Sequence, residues 1–480
     1  MPYFGASPSS TLASADLNGQ ALILDADADT TITADTDDQI DVRIAGADDF
    51  RMTANTLTAL SGSTIATNTI AETTGGSGVT IDGLLIKDTT AAFADGAVTT
   101  PSITNTGDLN TGVYFPAADT VGVTAGGTEQ FRFGSNPIPG GEKNLVINGG
   151  MTVAQRGSQT GQYSGYTAVD RFWFQEGGSI QARFTTTQDG SGGGGHANSL
   201  KLDTTTAEST IASGDLLNLQ HRIEAQNLQH LQWGSASAKD VTLSFWMSSP
   251  KTGTHCVSLY QADATRSYIS EFTIASANTF EYFSVTIPGD TGGTINDDTG
   301  AGLYVSFPIL SGTTYQAAAG SWLASEDYAT SNQQNLADST SNNIFVTGVQ
   351  LEVGSVATDF AHEDIGTTIA KCQRYFNRIA SGDSDIVSTV IANNADTYWY
   401  GAYHFPVEMR AIPTEATNND AHFSIINNGA ATACSSVQLS GRTSTKAVSW
   451  ENLTASRTAG HGGTFISNNA SSTLDLLAEL

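Results

Sequence analysis

The residues of this sequence that could bind a ligand are mainly aromatic. Tyr163, Tyr166 and Trp322 lie beside Gly-rich or polar turns, where a β-protein exposes its loops. An exposed tyrosine or tryptophan offers an apolar ring with a polar atom at its edge, which suits the mixed C–H and hydroxyl surface of a sugar. These three residues are the candidates for a carbohydrate-binding site. Trp173 and Trp246 stand inside strand-like runs, and we expect both to belong to a core.

A second group that could do chemistry is a set of acidic residues near the start of the chain. Asp25, Asp27 and Asp29 alternate with alanines, so a strand would place all three carboxylates on one face. They could hold a divalent cation, but not as an EF-hand, because Thr30 and Thr36 occupy the positions that need Gly and Glu. A solvated acidic face is the simpler interpretation. We expect no cofactor beyond, at most, this structural cation.

The sequence patterns of common catalytic sites are missing. It contains no HExxH, GxSxG or Walker A motif, and its eight histidines have no metal-ligand spacing. Adjacent acids occur at 297–298 and 326–327, but 48 Asp and Glu produce such pairs by chance. A glycosidase pair is defined in space and cannot be identified from such neighbours. We expect no enzyme activity, and a polysaccharide hydrolase with a concealed carboxylate pair is the alternative.

The elements that position these residues are predicted from composition to be mainly β. The 480 residues include 49 glycines, and only 14% of residues are charged, which is typical of short strands and turns. The net charge of −28 argues against nucleic acid as a partner, and electrostatics alone would not attract the chain to an anionic membrane. Three scattered cysteines predict isolated buried thiols.

Charge divides the chain into three parts. Residues 1–140 hold 4 basic and 17 acidic side chains, residues 141–365 hold 9 and 22, and residues 366–480 hold 7 and 9. A Pro- and Gly-rich segment at 137–145 marks the first boundary. The last part is therefore nearly neutral, while the two preceding parts are acidic.

The first part contains an internal repeat. The pattern of 40–52 (IDVRIAGADDFRM) recurs at 121–133 (VGVTAGGTEQFRF), with every matching position offset by 81. Each copy alternates apolar and polar residues, turns at glycine and returns through an aromatic residue, which predicts a β-hairpin. A hairpin buries too little surface to be stable alone. We therefore expect it to pack with copies of the same chain, for which stacking around a threefold axis is one solution.

The remaining parts predict a sandwich, a helix and a second β domain. Strand-like runs at 170–174, 241–246, 280–287, 302–307 and 344–351 favour a two-sheet sandwich or jelly roll over 141–365. Apolar residues at helical spacing predict a connecting helix over 366–380. Strand patterning then returns over 381–480.

Several segments together resemble a domain common in bacteriophage tail fibres. The segments 144–157 (NLVINGGMTVAQRG) and 166–173 (YTAVDRFW) are similar to its opening, and 241–246, 251–254, 287–292 and 347–355 (TGVQLEVGS) agree with its later part. The segment 372–376 (CQRYF) resembles the helix that usually follows. With less specificity, the hairpin repeats and 110–119 (NTGVYFPAAD) resemble shaft elements, and 404–410 (HFPVEMR) is similar to a tip segment.

This resemblance implies an elongated homotrimeric fibre in the tail of a virion. Residues 1–140 would attach to tail or baseplate proteins and form a β-hairpin shaft, 141–365 would be a carbohydrate-binding-module-like jelly roll, and 381–480 a C-terminal tip. The expected function is attachment to a host cell by binding its surface polysaccharide. The alternatives are a polysaccharide-degrading tailspike and a fibre that decorates the capsid.

Overall fold

A computed structural model of the protein describes residues 20–66, 93–133, 143–393, 398–417, 419–454 and 459–480. The chain divides into two compact units, Met1–Ala94 and Asp95–Leu480. Strands dominate both, as predicted. In the described part of the chain, no helix is long and apolar enough to cross a membrane. The attachment role expected of the first residues falls partly outside the described residues, and the predicted domain boundaries stay predictions.

The described part of the first unit is one antiparallel sheet. Its five strands follow the chain order β1 to β5. They are β1 (Leu22–Ile23), β2 (Thr31–Thr33), β3 (Ile40–Ile44), β4 (Ala47–Thr53) and β5 (Thr56–Ala59).

The second unit begins with a similar sheet of four strands in chain order. They are β6 (Ile103–Asn105), β7 (Asp108–Ala117), β8 (Thr120–Ala125) and β9 (Thr128–Phe133). The two sheets confirm both predicted hairpins, because β3 pairs with β4 and β8 with β9. Even the β-bulge recurs at the matching position, after Val42 in one hairpin and after Val123 in the other.

The predicted sandwich follows and is confirmed as two antiparallel sheets. One has six strands in the order β10-β13-β14-β22-β16-β19, and the other has seven in the order β11-β12-β15-β20-β17-β18-β21. Strands far apart in sequence are neighbours in each sheet, as in a jelly roll. The strands are β10 (Gln159–Gln162), β11 (Gly165–Tyr166), β12 (Phe172–Gly177), β13 (Arg183–Asp189), β14 (Ser199–Thr206), β15 (Leu216–Glu224), β16 (Val241–Ser248), β17 (Gly253–Gln261), β18 (Arg266–Ile274), β19 (Glu281–Ile287), β20 (Ala301–Ser311), β21 (Trp322–Leu323) and β22 (Asn343–Val353).

The core of the sandwich lies between these sheets. Alternate residues of each strand point inwards, as the pleat of a β-strand requires. On β16, for example, Leu243, Phe245 and Met247 are buried in this core. The residues between them, including Trp246, therefore belong to the outward face of the six-stranded sheet.

The predicted helix is shorter than expected. It forms α1 (Ile365–Gln373), whose N-cap Asp364 accepts hydrogen bonds from the backbone of Gly366 and Thr367. The second half of the predicted range, 374–380, is not helical, because β23 (Phe376–Ala380) pairs with β31 (Leu474–Leu477). The helical spacing of Phe376 with Cys372 misled the prediction, since long-range strand pairing outweighs so weak a local signal.

The last residues form two further β structures. β23, β31 and β26 (Thr414–Thr417) make a three-stranded sheet, and the other strands close into a barrel in the order β24-β25-β29-β28-β27-β30. The barrel strands are β24 (Ile386–Ala392), β25 (Tyr398–His404), β27 (Phe423–Asn427), β28 (Ala430–Leu439), β29 (Ala447–Thr454) and β30 (Gly462–Ser467). Trp399 and Trp450 are buried in the barrel core.

Buried ion pairs join the sandwich to these C-terminal structures. The carboxylate of Glu479 accepts from Arg171 at 2.5 Å and from Arg156 at 2.7 Å. In the opposite direction, Arg374 donates to Glu224 of β15 at 2.7 Å. The buried residues of this junction neutralise one another, as buried charges must.

Candidate functional site

The candidate site is a groove on the outward face of the six-stranded sheet. Two neighbouring cavities of about 670 Å³ and 430 Å³ form it, and both are lined by His196, Phe360 and His362. We call these three residues the ridge. Clefts of this size that combine aromatic surface with a few polar groups are typical ligand-binding sites.

Two aromatic side chains form the wall of the larger cavity. Trp246 on β16 and Tyr282 on β19 are directly paired across the strands, with ring centroids 5.4 Å apart. Tyr282 is 46% exposed, which leaves part of this aromatic pair open to a ligand. Because Phe245 and Phe283 point into the core, the pleat itself directs Trp246 and Tyr282 outwards.

A β-bulge in β22 shapes the floor beside Trp246. Ser244 pairs with Gln350 and Trp246 with Thr347, so β22 holds one residue more than β16 over this stretch. Gly348 adopts a left-handed conformation there, with φ of 60°. A Cβ at Gly348 would lie 2.5 Å from Nε2 of His196. The glycine is therefore required both by its backbone conformation and by the ridge above it.

The Gly-rich loop before β14 packs against the same aromatic face. A Cβ on Gly194 would overlap the ring of Trp246, and one on Gly193 would lie 2.8 Å from the ring of Phe280. The Gly-rich loop at 192–195 thus contributes to the groove. Its glycines allow the backbone to approach the aromatic rings closely.

The ridge consists of three rings that pack against one another, with Phe360 edge-to-face against both histidines. The ring of His196 lies 4.6 Å from that of Phe360 and 5.6 Å from that of His362. Burial lowers the pKa of His196, and the neighbouring His362 lowers it further. Both effects favour a neutral His196 imidazole, which can donate one hydrogen bond and accept another.

Polar groups surround the aromatic surface. Ser244, Thr358 and Asp359 line the larger cavity, and Lys143 and Glu363 line the smaller one. Lys143 also donates to the backbone oxygen of Asp359 at 2.7 Å. Glu363 is held by an ion pair with Lys371 and by a hydrogen bond from Thr368. The groove therefore offers hydroxyl, amine, imidazole and carboxylate groups around an apolar centre.

The structure does not bring the three predicted sugar-binding aromatics together. Tyr166 lies on β11 and Trp322 on β21, which are the opposite edges of the seven-stranded sheet. Tyr163, just before β11, stacks under Arg183 at 3.8 Å. Within the described cavities, none of the three lines the groove.

Tyr166 and Trp322 both make specific contacts inside the protein. The hydroxyl of Tyr166 donates to the backbone oxygen of Leu480 at 3.0 Å, and burial raises the pKa of Tyr166 to about 12. Trp322 packs against Trp233 with ring centroids 5.2 Å apart and donates to the Pro288 oxygen at 2.7 Å. Both rings therefore have structural roles in this chain.

The expectation that Trp246 and Trp173 belong to the core was wrong. Trp246 faces the groove, and Trp173 lies on the outward face of the other sheet, where Arg222 stacks on it at 3.5 Å. Strand alternation carried the signal that was missed, because each tryptophan stands between two buried apolar residues of its strand.

The acidic residues near the start of the chain do come together. One carboxylate oxygen from each of Asp25, Asp27 and Asp29 lies within 4.8 Å of the others. They occupy a bend between β1 and β2, however, and not one face of a strand as predicted. Asp25 accepts a hydrogen bond from the Thr30 backbone, and hydrogen bonding to Thr30 lowers its pKa. Asp25 and Asp27 are exposed and Asp29 is half-buried, and a structural cation at this cluster stays a prediction.

Comparisons with known proteins were made by sequence and by structure. No protein-family model matches the sequence, and no curated protein matches it. The enzymatically active domain of tailspike protein 4 of bacteriophage CBA120 aligns at 14% identity over 44% of this chain and 22% of that one, with a TM-score of 0.24. A family 11 carbohydrate-binding module of Clostridium thermocellum aligns at 12% identity over 42% of this chain and 98% of its own, with a TM-score of 0.22.

A xylan-binding domain from Paenibacillus barcinonensis gives a similar result. It aligns at 7% identity over 45% of this chain and 98% of its own, with a TM-score of 0.21. Similarity at this level transfers neither a ligand nor an activity to this chain.

Proposed function

We propose that the groove of the sandwich domain binds a polysaccharide of a host cell surface. The observation that carries this proposal is the partly exposed pair of Trp246 and Tyr282 in a groove that continues past the ridge. The C–H face of a sugar ring can stack on such a pair, because the faces of aromatic rings carry partial negative charge. The hydroxyl groups of the same sugar would then reach Ser244 and Asp359 at the rim.

The shape of the groove favours a chain of sugars over a single sugar. Its two cavities meet at the ridge, so one extended ligand could contact Trp246 in the larger cavity and Lys143 in the smaller one. A polysaccharide offers neighbouring units for both. The neutral imidazole of His196 could form hydrogen bonds with sugar hydroxyl groups at the point where the two cavities meet.

We propose that binding proceeds without hydrolysis. A glycosidase needs a carboxylic acid with a raised pKa beside a second carboxylate. Among the described residues, the carboxyl groups with a raised pKa are Asp170, at about 6, and Glu415, at about 7, and neither lines the groove. Glu363, which does line it, is held by Lys371. Incubation with the polysaccharide should leave its chain length unchanged, and shortening would favour the tailspike alternative.

The wider role that we propose is host attachment by a homotrimeric tail fibre of a bacteriophage virion. The sequence resemblance over 144–376 supports this role, together with the paired hairpin repeats. The nearly neutral residues 366–480 would approach a negative cell envelope more easily than the acidic remainder of the chain. Labelling of virions with an antibody and electron microscopy would distinguish a tail from a capsid location.

Glycan binding is tested with the full-length chain and substitutions in the groove. We expect Trp246→Ala and Tyr282→Ala each to weaken binding of the host polysaccharide by about tenfold or more, since each removes half of the stacking surface. Tyr400→Ala is the control, because Tyr400 is a partly exposed tyrosine on the barrel. Calorimetric titration with size-fractionated oligosaccharides measures the affinities. Equal binding by all three variants would refute the groove as the site.

A further inference from the structure

The larger cavity of the groove combines aromatic rings with a single carboxylate. Trp246, Tyr282 and Phe360 line this cavity. Among its described lining residues, Asp359 is the one Asp or Glu, and no lysine or arginine is present. Asp359 is exposed, and Lys143 donates to its backbone oxygen at 2.7 Å rather than to its carboxylate. Within the described part of the chain, the carboxylate therefore has no charge partner.

The rings and the carboxylate attract the same kind of ligand. A cation within about 6 Å of the centre of an aromatic ring is attracted by the negative charge of the ring face. A carboxylate attracts the same cation by direct Coulomb interaction. Proteins bind quaternary ammonium groups in sites that surround the cation with aromatic rings. A neutral sugar would use the rings of this cavity but not the charge of its carboxylate.

The smaller cavity has the opposite balance of charge. Lys143 and Lys371 line it together with Glu363. Lys371 forms an ion pair with Glu363, so the charge of Lys143 remains in excess. The groove is therefore negative on the side of Asp359 and positive on the other side of the ridge. A cationic group would accordingly prefer the larger cavity, and an extended ligand would have a preferred direction in the groove.

We infer that the larger cavity binds a positively charged nitrogen group of the glycan, either the ammonium group of an amino sugar or a quaternary ammonium substituent. The inference rests on the proposed function and names the class of sugar that the groove selects. The sugar ring would contact Trp246 and Tyr282, and its charged nitrogen would lie towards the carboxylate of Asp359.

The test compares small ligands that differ in charge. Chitobiose carries ammonium groups at mildly acidic pH, whereas N,N′-diacetylchitobiose has the same sugar rings with neutral amides. Choline and its uncharged carbon isostere, dimethylbutanol, form a second pair with almost the same shape. We expect the full-length chain to bind the charged member of at least one pair about tenfold more tightly than the neutral member. Ligand-detected NMR titration measures these weak affinities.

A matched pair of variants separates the cavity from the charge of the whole chain. A net charge of −28 attracts cations to every part of the surface. Asp359→Asn removes the local charge at nearly constant size, so the preference for the charged ligand should largely disappear. Asp297→Asn is the control, because Asp297 is an exposed carboxylate that does not line the described cavities. It changes the net charge equally and should retain the preference.

The outcomes are distinct. Preference for choline alone assigns a quaternary ammonium group, and preference for chitobiose alone assigns an amino sugar. Equal affinity for both members of both pairs would overturn the inference, as would a preference that persists in Asp359→Asn or a lack of binding by all four compounds. Titration of Trp246→Ala with the host polysaccharide tests the proposed function separately, since a groove that binds only neutral sugars would still lose affinity in that variant.

Discussion

The strongest single test of the groove is the substitution Gly348→Ala. Gly348 lies in the bulge of β22 with φ of 60°, and a Cβ there would approach Nε2 of His196 to 2.5 Å. The imidazole cannot simply turn away, because Phe360 and His362 pack on it. The alanine should therefore displace the ridge without touching the core of the sandwich.

The loss in the free energy of unfolding caused by Gly348→Ala has two parts, and a matched variant separates them. A left-handed conformation costs an alanine about 1–2 kcal/mol. Moving His196 off its preferred rotamer adds roughly 0.5–1.5 kcal/mol. Gly161 on β10 has φ of 68° and nothing within 4 Å of an added Cβ, so Gly161→Ala suffers only the first part. We therefore expect Gly348→Ala to lose about 1.5–3.5 kcal/mol and Gly161→Ala about 1–2 kcal/mol of the free energy of unfolding.

Chemical denaturation measures these losses, and titration with oligosaccharide measures affinity. Only Gly348→Ala should weaken binding, by about fivefold or more, since a shift of the ridge changes both cavities. In the double variant Gly348→Ala/His196→Ala the overlap is gone, so the stability losses should be less than additive. If Gly348→Ala and Gly161→Ala behave alike in both assays, the proposed coupling between bulge and ridge is refuted.

Three further outcomes follow from buried groups outside the groove. Tyr166→Phe removes a hydrogen bond to Leu480, so the free energy of unfolding should fall by about 1 kcal/mol. Glycan affinity should stay unchanged, and weaker binding would show that Tyr166 belongs to the binding site. Glu479→Gln removes the charge partner of Arg171, whose side chain is only 1% exposed. Denaturation should therefore show a loss of about 3 kcal/mol in the free energy of unfolding. Burial raises the pKa of Glu415 from 4.5 to about 7, so its ionisation opposes folding: its contribution to stability is full below pH 4.5 and is lost as pH rises towards 7. Glu415→Gln should flatten that part of a melting-temperature profile against pH, and an unchanged profile would contradict the assignment.

How much the sequence could predict depends on the range of each signal. Period-two alternation identified the strands of the sandwich, and the offset of 81 identified hairpins that match down to their bulges. The same alternation, applied to Trp246 between Phe245 and Met247, would have placed its ring outside the core. An assignment by residue type places tryptophan in the core and ligands at turns, and therefore misses the outward ring of Trp246.

The features that could not be predicted depend on contacts between distant parts of the chain. The pairing of Phe376 with Leu477 joins residues about a hundred positions apart and replaces the end of the predicted helix. Tyr166 is held by a hydrogen bond to Leu480, and the ridge forms because His196 packs against Phe360 and His362. None of these three contacts leaves a pattern in the local sequence, because each is created by the way distant segments come together in the fold.

A weak groove and the proposed homotrimeric assembly are consistent with each other in physical terms. An open groove that holds a sugar mainly by stacking on Trp246 and Tyr282 binds weakly, because much of the ligand stays in water. The proposed homotrimer would carry three such grooves on one particle. A polysaccharide presents its repeating unit many times, so simultaneous contacts could raise the overall affinity by about 10²–10⁴ without any new contact. On this reasoning, a variant that remains monomeric should retain the affinity of its groove for a short oligosaccharide. It should lose most of its retention on a surface coated with the polysaccharide, whereas Trp246→Ala should lose both.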